Sequence, residues 1–455
     1  MTGIKRNKDK IYLFFVISII LYIVFSPYVK ELLTSLLTGS EIAINKAFII
    51  ESDWIAQHIP FYKEFFRQIE SGRVGWSWNE LFGINFYGSK GYYLIGDPFS
   101  WITFVLYRIF DNLHLSLLII TLIKFYISCY AFYYFLQMRK VNRSGCFIFS
   151  IMFMLSGWQT LFLEHPVYTS FYCIAPFVLI GIENILLKRS YPLFIISAAL
   201  MLSVNYYLSW MFCWLILIYW IVRFSETCGQ FNFRIFIKMS LKTLASFIIA
   251  IALSAIVWIP SVFHMFRSPR IDHELITYTT WNSDNILSII MNFFVPVTKE
   301  YNLYQFYWYY FYQIGIYCSV LNILLLPQLF GKSKNKNRKL YQVMVILALL
   351  TLVSPLFGKL FHFTYSLRYS LIIEYTLLIC GSMIYNNIKD INVSRLWLSE
   401  LFILIILFML GIYVPYLRGL DIRGYPQAQM LLLCCIFSVL YCLFISLVKK
   451  KKRFP

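Results

Sequence analysis

Charge is what this sequence has least of. Only 13% of its 455 residues are Asp, Glu, Lys or Arg, and 21 of them are acidic. A soluble domain of ordinary make-up carries charge on about 25–35% of its surface, and this chain is too poor in it to be one. Cysteine is absent from the two long inter-span loops, 30–114 and 261–307. That argues against a disulfide framework, and the ten cysteines, all in or beside apolar stretches, read as small buried hydrophobes. There is no HExxH and no CxxC, so no motif specifies a dedicated zinc site. No small-residue cleavage site follows the first apolar run, so residues 11–29 are expected to remain as a membrane span. Tandem repeats are not visible either.

What fills the chain instead is apolar and aromatic side chain: 60% hydrophobic residues, with 43 Phe, 35 Tyr and 12 Trp. Apolar runs long enough for the ~20 residues that cross a bilayer recur from end to end. Helices satisfy every backbone group internally in lipid, and the runs lack the short alternation of a β-barrel. The expected fold is an all-α polytopic membrane protein of about twelve transmembrane helices, near 11–28, 115–137, 145–162, 166–186, 192–206, 208–224, 243–260, 308–330, 341–358, 363–381, 399–417 and 427–448. The run 193–224 is read as two short helices broken at 203–207. The net charge of +19 sits in short clusters between spans, and all the strongly basic loops fall on one side. This is orientation, and it removes nucleic acid as a partner. Both termini are expected in the cytoplasm. The chain then divides into 1–29 (N-terminus and first helix), 30–114 (large external loop), 115–260 (helices two to seven), 261–307 (external loop), 308–448 (helices eight to twelve) and 449–455 (basic tail). Charge parity requires 92–110 to lie on or dip into the outer leaflet.

The first external loop is too aromatic for disorder. Within it, Phe61, Phe65, Phe66 and Ile69 recur at helical spacing behind Pro60, the pattern of an interfacial helix. Just upstream stand Asp53, Gln57 and His58. Asp53 reads as a loop acid or helix cap, or as a general base at the membrane boundary, with Gln57 sharing its face four residues on. On an α-helix His58 is poorly spaced to join Asp53. A carboxylate from Asp97 or Glu164 can meet Asp53 in space and make a divalent metal site, although no cofactor is specified. The segment 76–101 mixes aromatic rings, amides such as Asn79 and Asn85, and Gly83, Gly88, Gly91 and Gly96; it fits a sugar as well as it fits a packed cap. Lys90 suits a phosphate or the interface. Arg368 falls inside a span, where an arginine costs at least ~2.5 kcal/mol unless it faces protein, water or phosphate. Donor phosphate and a structural ion pair, with Glu374 as the nearby acid, suit it equally.

Several ordered blocks carry a resemblance: SDWIAQHIPFYKEFF (52–66), WSWNELFGINFYG (76–88), YYLIGDPF (92–99), the stretch 154–186 from MLSGWQ to IENIL, SVNYYLSWMF (203–212) and SLRYSLIIEY (366–375). Together they resemble the YfhO family of bacterial membrane proteins, which look like glycosyltransferases of the GT-C fold. Two departures stand out. Family members are usually longer, with a C-terminal external region, and the second block lacks a glycine at Asn79-Glu80-Leu81-Phe82-Gly83.

The resemblance implies a GT-C-like transferase in the bacterial cell membrane, working outside the cytoplasm on a polyprenyl-phosphate-linked sugar, with a teichoic-type or other surface polymer as acceptor. Asp53 becomes the catalytic base, and Arg368, with Lys90, the donor-phosphate contact. Gln57, His58, Asn85, Tyr92 and Tyr93 are the substrate-facing candidates of the first loop. Asp97, Glu164, His165, Asn205 and Tyr206 are those of the later blocks. A single displacement would invert the anomeric centre. A transporter or flippase for a lipid-linked sugar, and a surface-glycan polymerase or ligase, are the competing readings.

Overall fold

The computed structural model describes residues 2–38, 53–80, 82–228, 232–267, 283–295, 315–331, 338–353, 368–413 and 426–451. Helix dominates, and the one sheet among these residues is a pair of two-residue strands. The helices are α1 (Thr2–Thr38), α2 (Ile59–Glu70), α3 (Phe86–Lys90), α4 (Pro98–Phe110), α5 (Leu113–Met138), α6 (Arg143–Met154), α7 (Gly157–Leu161), α8 (Pro166–Leu186) and α9 (Pro192–Val204). They continue as α10 (Tyr206–Cys228), α11 (Phe233–Phe266), α12 (Ser283–Asn292), α13 (Val320–Leu325), α14 (Arg338–Val353), α15 (Ser370–Asn386), α16 (Val393–Phe408) and α17 (Pro426–Lys451).

Eight helical stretches among the described residues are long and apolar enough to cross a membrane. They coincide with eight of the twelve spans expected from sequence. The other four are shorter. The span at 192–206 is the 13-residue α9, because the chain breaks at Asn205, whose backbone is extended. The spans at 308–330, 341–358 and 363–381 overlap 320–330, α14 and α15; residues 315–319 and 368–369 are not helical, and 308–314, 354–358 and 363–367 fall outside the described residues. Thirteen residues of α4 rise only about 20 Å, short of the ~30 Å hydrocarbon core, in line with a segment 92–110 that does not cross.

The chain forms two compact units, each built from separated segments. The first holds 1–135, 162–209 and 237–273. Its centre is α8, nearly all of which is buried; a helix apolar all round belongs inside a bundle rather than against lipid. Gly181 lets α9 close on α8, since a Cβ there would stand 2.5 Å from Phe194 Cα. In the same unit Tyr87 Oη donates to Ile256 O (2.9 Å), tying the first loop to α11.

The second unit holds 136–161, 210–236 and 274–455. Glu226 ties its helix ends together, accepting from Arg139 (2.9 Å), Arg223 (2.5 Å) and Tyr341 (2.5 Å). Asn142 N donates to Asn386 Oδ1 (2.8 Å), and Gly157 N donates to Tyr317 O (2.7 Å).

Ser71 and Arg189 are both exposed and belong to segments expected on opposite sides of the membrane. A membrane-impermeant maleimide added to intact cells is expected to label Ser71→Cys and to reach Arg189→Cys only after permeabilisation. Labelling of the second in intact cells would invert the topology.

Candidate functional site

Asp53 stands immediately before a π-helical turn, Trp54–His58, that runs into α2. Gln57 Nε2 donates to Asp53 Oδ1 at 2.6 Å, the pairing expected from their spacing. His58 stays out of the ligand cluster of Asp53, as its spacing implied, and finds another partner. In an α-helix five residues turn about 140° past the starting face. Here the turn is closed by Ile59 N donating to Trp54 O, a wider π geometry. His58 Nε2 then lies 2.8 Å from His165 Nδ1, across 107 residues of sequence.

His165 and Glu164 arrive from the start of α8. Pro166 opens that helix with its fixed φ, and His165 before it is extended, its ring making no capping hydrogen bond. Both residues are buried, and His165 Nε2 is 3.3 Å from Glu164 Oε1. Ligand-capable atoms of Asp53, Glu164 and His165 all lie within 4.8 Å of one another. The sequence left two carboxylates as candidates to meet Asp53, and the structure gathers Glu164 there. Burial, with Lys90 and Lys124 contributing positive charge, lowers His58 to about 3, so its imidazole is neutral at physiological pH.

Aromatic rings line this cluster. Tyr93 and Phe61 pack on His58 with centroids 6.2 Å away; Tyr92 stacks near Tyr93 at 4.3 Å and meets Tyr206 at 5.3 Å. Lys90 Nζ lies 3.7 Å from the Phe61 centroid and 3.6 Å from Glu80 Oε2. The predicted Asp53, Gln57, His58, Tyr92, Tyr93, Glu164, His165, Tyr206 and Lys90 therefore share the first unit.

Three other predicted residues serve the backbone. Asn85 caps α3 through Gly88 N (2.9 Å), and Asn205 accepts from Leu208 N (2.9 Å) at the start of α10. Asp97 caps α4 through Phe99 N (3.0 Å) and accepts from Ser170 Oγ of α8 (2.6 Å). It is fully buried, and burial pushes its carboxyl above the usual range against the pull of Lys124, Ser170 and Phe99 N. Lys124 was not anticipated. Buried within α5, it donates from Nζ to Pro166 O at 2.8 Å, one residue past His165. A lone lysine inside an apolar span was the available signal.

Not all the polar side chains of α2 lie away from its aromatic stripe. Glu64 and Gln68 turn inward with Phe65 and Phe66, because the β-pair Trp76–Ser77 and Ile84–Asn85 supplies partners. Glu64 accepts from Ser77 (2.6 Å), Arg67 (2.6 Å), Gln68 (2.8 Å) and Asn79 (2.9 Å). Burial opposes its charge, but these hydrogen bonds outweigh it and bring the carboxyl down to about 2 from an ordinary 4.5. A depressed folded-state value means stability present in full above pH 4.5 and lost as pH falls through 2. Glu64→Gln is expected to lose roughly 1–3 kcal/mol near neutrality, with the gap to wild type closing in acid; thermal unfolding across that range checks it.

Arg368 belongs to the second unit. Its carbonyl accepts from Trp158 Nε1 (2.9 Å), while Glu374 Oε2 accepts from Trp158 N (2.9 Å). Glu374 thus holds the start of α7, beyond any part it has in balancing Arg368.

A family model described as "Bacterial membrane protein YfhO" matches residues 29–454. No curated protein and no solved structure matches the chain.

Proposed function

The chain belongs to the YfhO family of bacterial membrane proteins, and on that premise we propose that it is a GT-C-like glycosyltransferase, acting at the extracytoplasmic membrane surface. Its donor is a polyprenyl-phosphate-linked sugar and its acceptor a hydroxyl of a teichoic-type or related surface glycan. The observation that carries the reading is the convergence of Asp53, Glu164 and His165, with Gln57 and His58 bonded to two of them, beside an aromatic wall.

The chemistry follows from that cluster. Asp53 accepts the proton of the acceptor hydroxyl as its oxygen attacks the anomeric carbon. The bond from that carbon to the phosphate oxygen breaks, and the polyprenyl phosphate leaves with the electron pair. One displacement inverts the centre. Tyr92, Tyr93 and Tyr206 offer flat apolar faces of the kind sugar rings stack on. Lys90 is assigned to the growing negative charge on the phosphate. A prenyl tail held in lipid keeps its phosphosugar at the boundary, so a base in the loop after the first span suits the donor.

The experiment is direct transfer by purified protein, from polyprenyl-phosphate-linked hexoses to a panel of surface-polymer acceptors. Wild type is expected to form a glycosylated polymer. Translocation of donor across a vesicle membrane without any product would favour a flippase instead.

A further inference from the structure

We propose that Asp53, Glu164 and His165 bind one divalent cation of the Mg2+/Mn2+ class, with Gln57 and His58 as its outer partners. Three donor atoms already lie within 4.8 Å of one another. Ligands of an octahedral ion at ~2.1 Å stand about 3–4 Å apart, so a closure of at most about 1–2 Å, within reach of side-chain rotation, brings the donors to that spacing. Two of the donors are carboxylates, and Glu164 is buried. Carboxylates sharing such a site repel, and a divalent ion cancels that repulsion.

The outer partners point the same way. A metal-bound imidazole is normally held through its other nitrogen, which fixes tautomer and ring orientation. His165 meets this description: Nδ1 faces His58 Nε2 at 2.8 Å, and Nε2 is the nitrogen turned to Glu164 Oε1 at 3.3 Å. With Nδ1–H donating to His58, Nε2 carries the lone pair. Gln57 Nε2 steadies Asp53 Oδ1 at 2.6 Å, as a second hydrogen-bonded ligand requires. Two carboxylates and one imidazole, with no thiolate, suit a hard or borderline ion and leave positions open for oxygen ligands. The competing occupant is a proton, with His165 charged and paired to Glu164.

The inference deepens the proposed function only in role: such an ion would act as a Lewis acid toward the leaving phosphate. Binding is measured without donor or acceptor, so an ion site on a chain that transfers no sugar would sink the transferase reading and leave this one standing. Mn2+ is titrated into the purified full-length protein in detergent, and the free-ion electron paramagnetic resonance signal is followed. Wild type is expected to take up one Mn2+ per chain that Mg2+ displaces. Glu164→Gln is expected to weaken it by more than about tenfold and His58→Phe by about tenfold. Asp53 is only half-buried, so Asp53→Asn serves as the ligand variant should Glu164→Gln fail to fold. Equal Mn2+ uptake by wild type and Asp53→Asn, or no uptake by wild type, overturns the proposal.

Discussion

Asp53→Asn is expected to cut sugar transfer by about 10²–10⁴-fold, the usual worth of a positioned general base, while the protein folds and unfolds as the parent does. Asparagine is nearly isosteric with aspartate. Its amide oxygen can still accept the hydrogen bond that Gln57 Nε2 gives to Oδ1, so the π turn and the start of α2 keep their tie. What disappears is the ability to take a proton, and with it the negative charge beside Glu164 and His165. Turnover of variant and parent, with donor and acceptor both saturating, measures the effect on the chemical step. A rate equal to the parent's would remove Asp53 from the mechanism.

Lys124→Met is expected to be the most damaging single change to stability, at about 3–5 kcal/mol. Lys124 and Asp97 are both buried in the first unit, and the field of each acts on the other. Methionine matches the lysine stem in length but removes the positive field that acts on Asp97 and leaves Pro166 O without its donor. Removing one of two buried ionisable groups that act on each other costs more than removing both, because the survivor is left in a low-dielectric interior. Combining Lys124→Met with Asp97→Asn is therefore expected to recover part of the loss. Ser170 can still donate to the amide oxygen, and Phe99 N keeps its acceptor. Thermal unfolding in detergent of the four proteins gives the coupling between the two sites. Strictly additive losses would mean that the two charges do not act on each other. The change also reaches the candidate site, since Pro166 follows directly on Glu164 and His165.

The parts of this arrangement that were legible in the sequence are those governed by local periodicity. The Asp53–Gln57 pairing, the helix after Pro60, the break at Asn205 and the eight long helices all follow from spacing and composition. The spacing of His58 correctly keeps it out of the ligand set of Asp53, but its contact with His165 is not legible, since nothing local announces a π turn. Glu164 and His165 were candidates only, since their meeting with the first loop depends on how α8 packs. Asn85, Asp97 and Asn205 carried a plainer signal than the one used: each precedes a helix, and Asp97-Pro98 is a cap followed by a first-turn proline. The inward turn of Glu64 was hidden because its partners Ser77 and Asn79 come from a two-strand hairpin too short to show a strand pattern.

The anomeric configuration of the new glycosidic bond is the most direct test of a single displacement driven by Asp53. Product formed by the purified protein from a donor of one defined anomer can be read by nuclear magnetic resonance. The account predicts a single product anomer opposite to that of the donor. Retention of the donor's configuration would mean two displacements or attack from the leaving group's own face, and would contradict it.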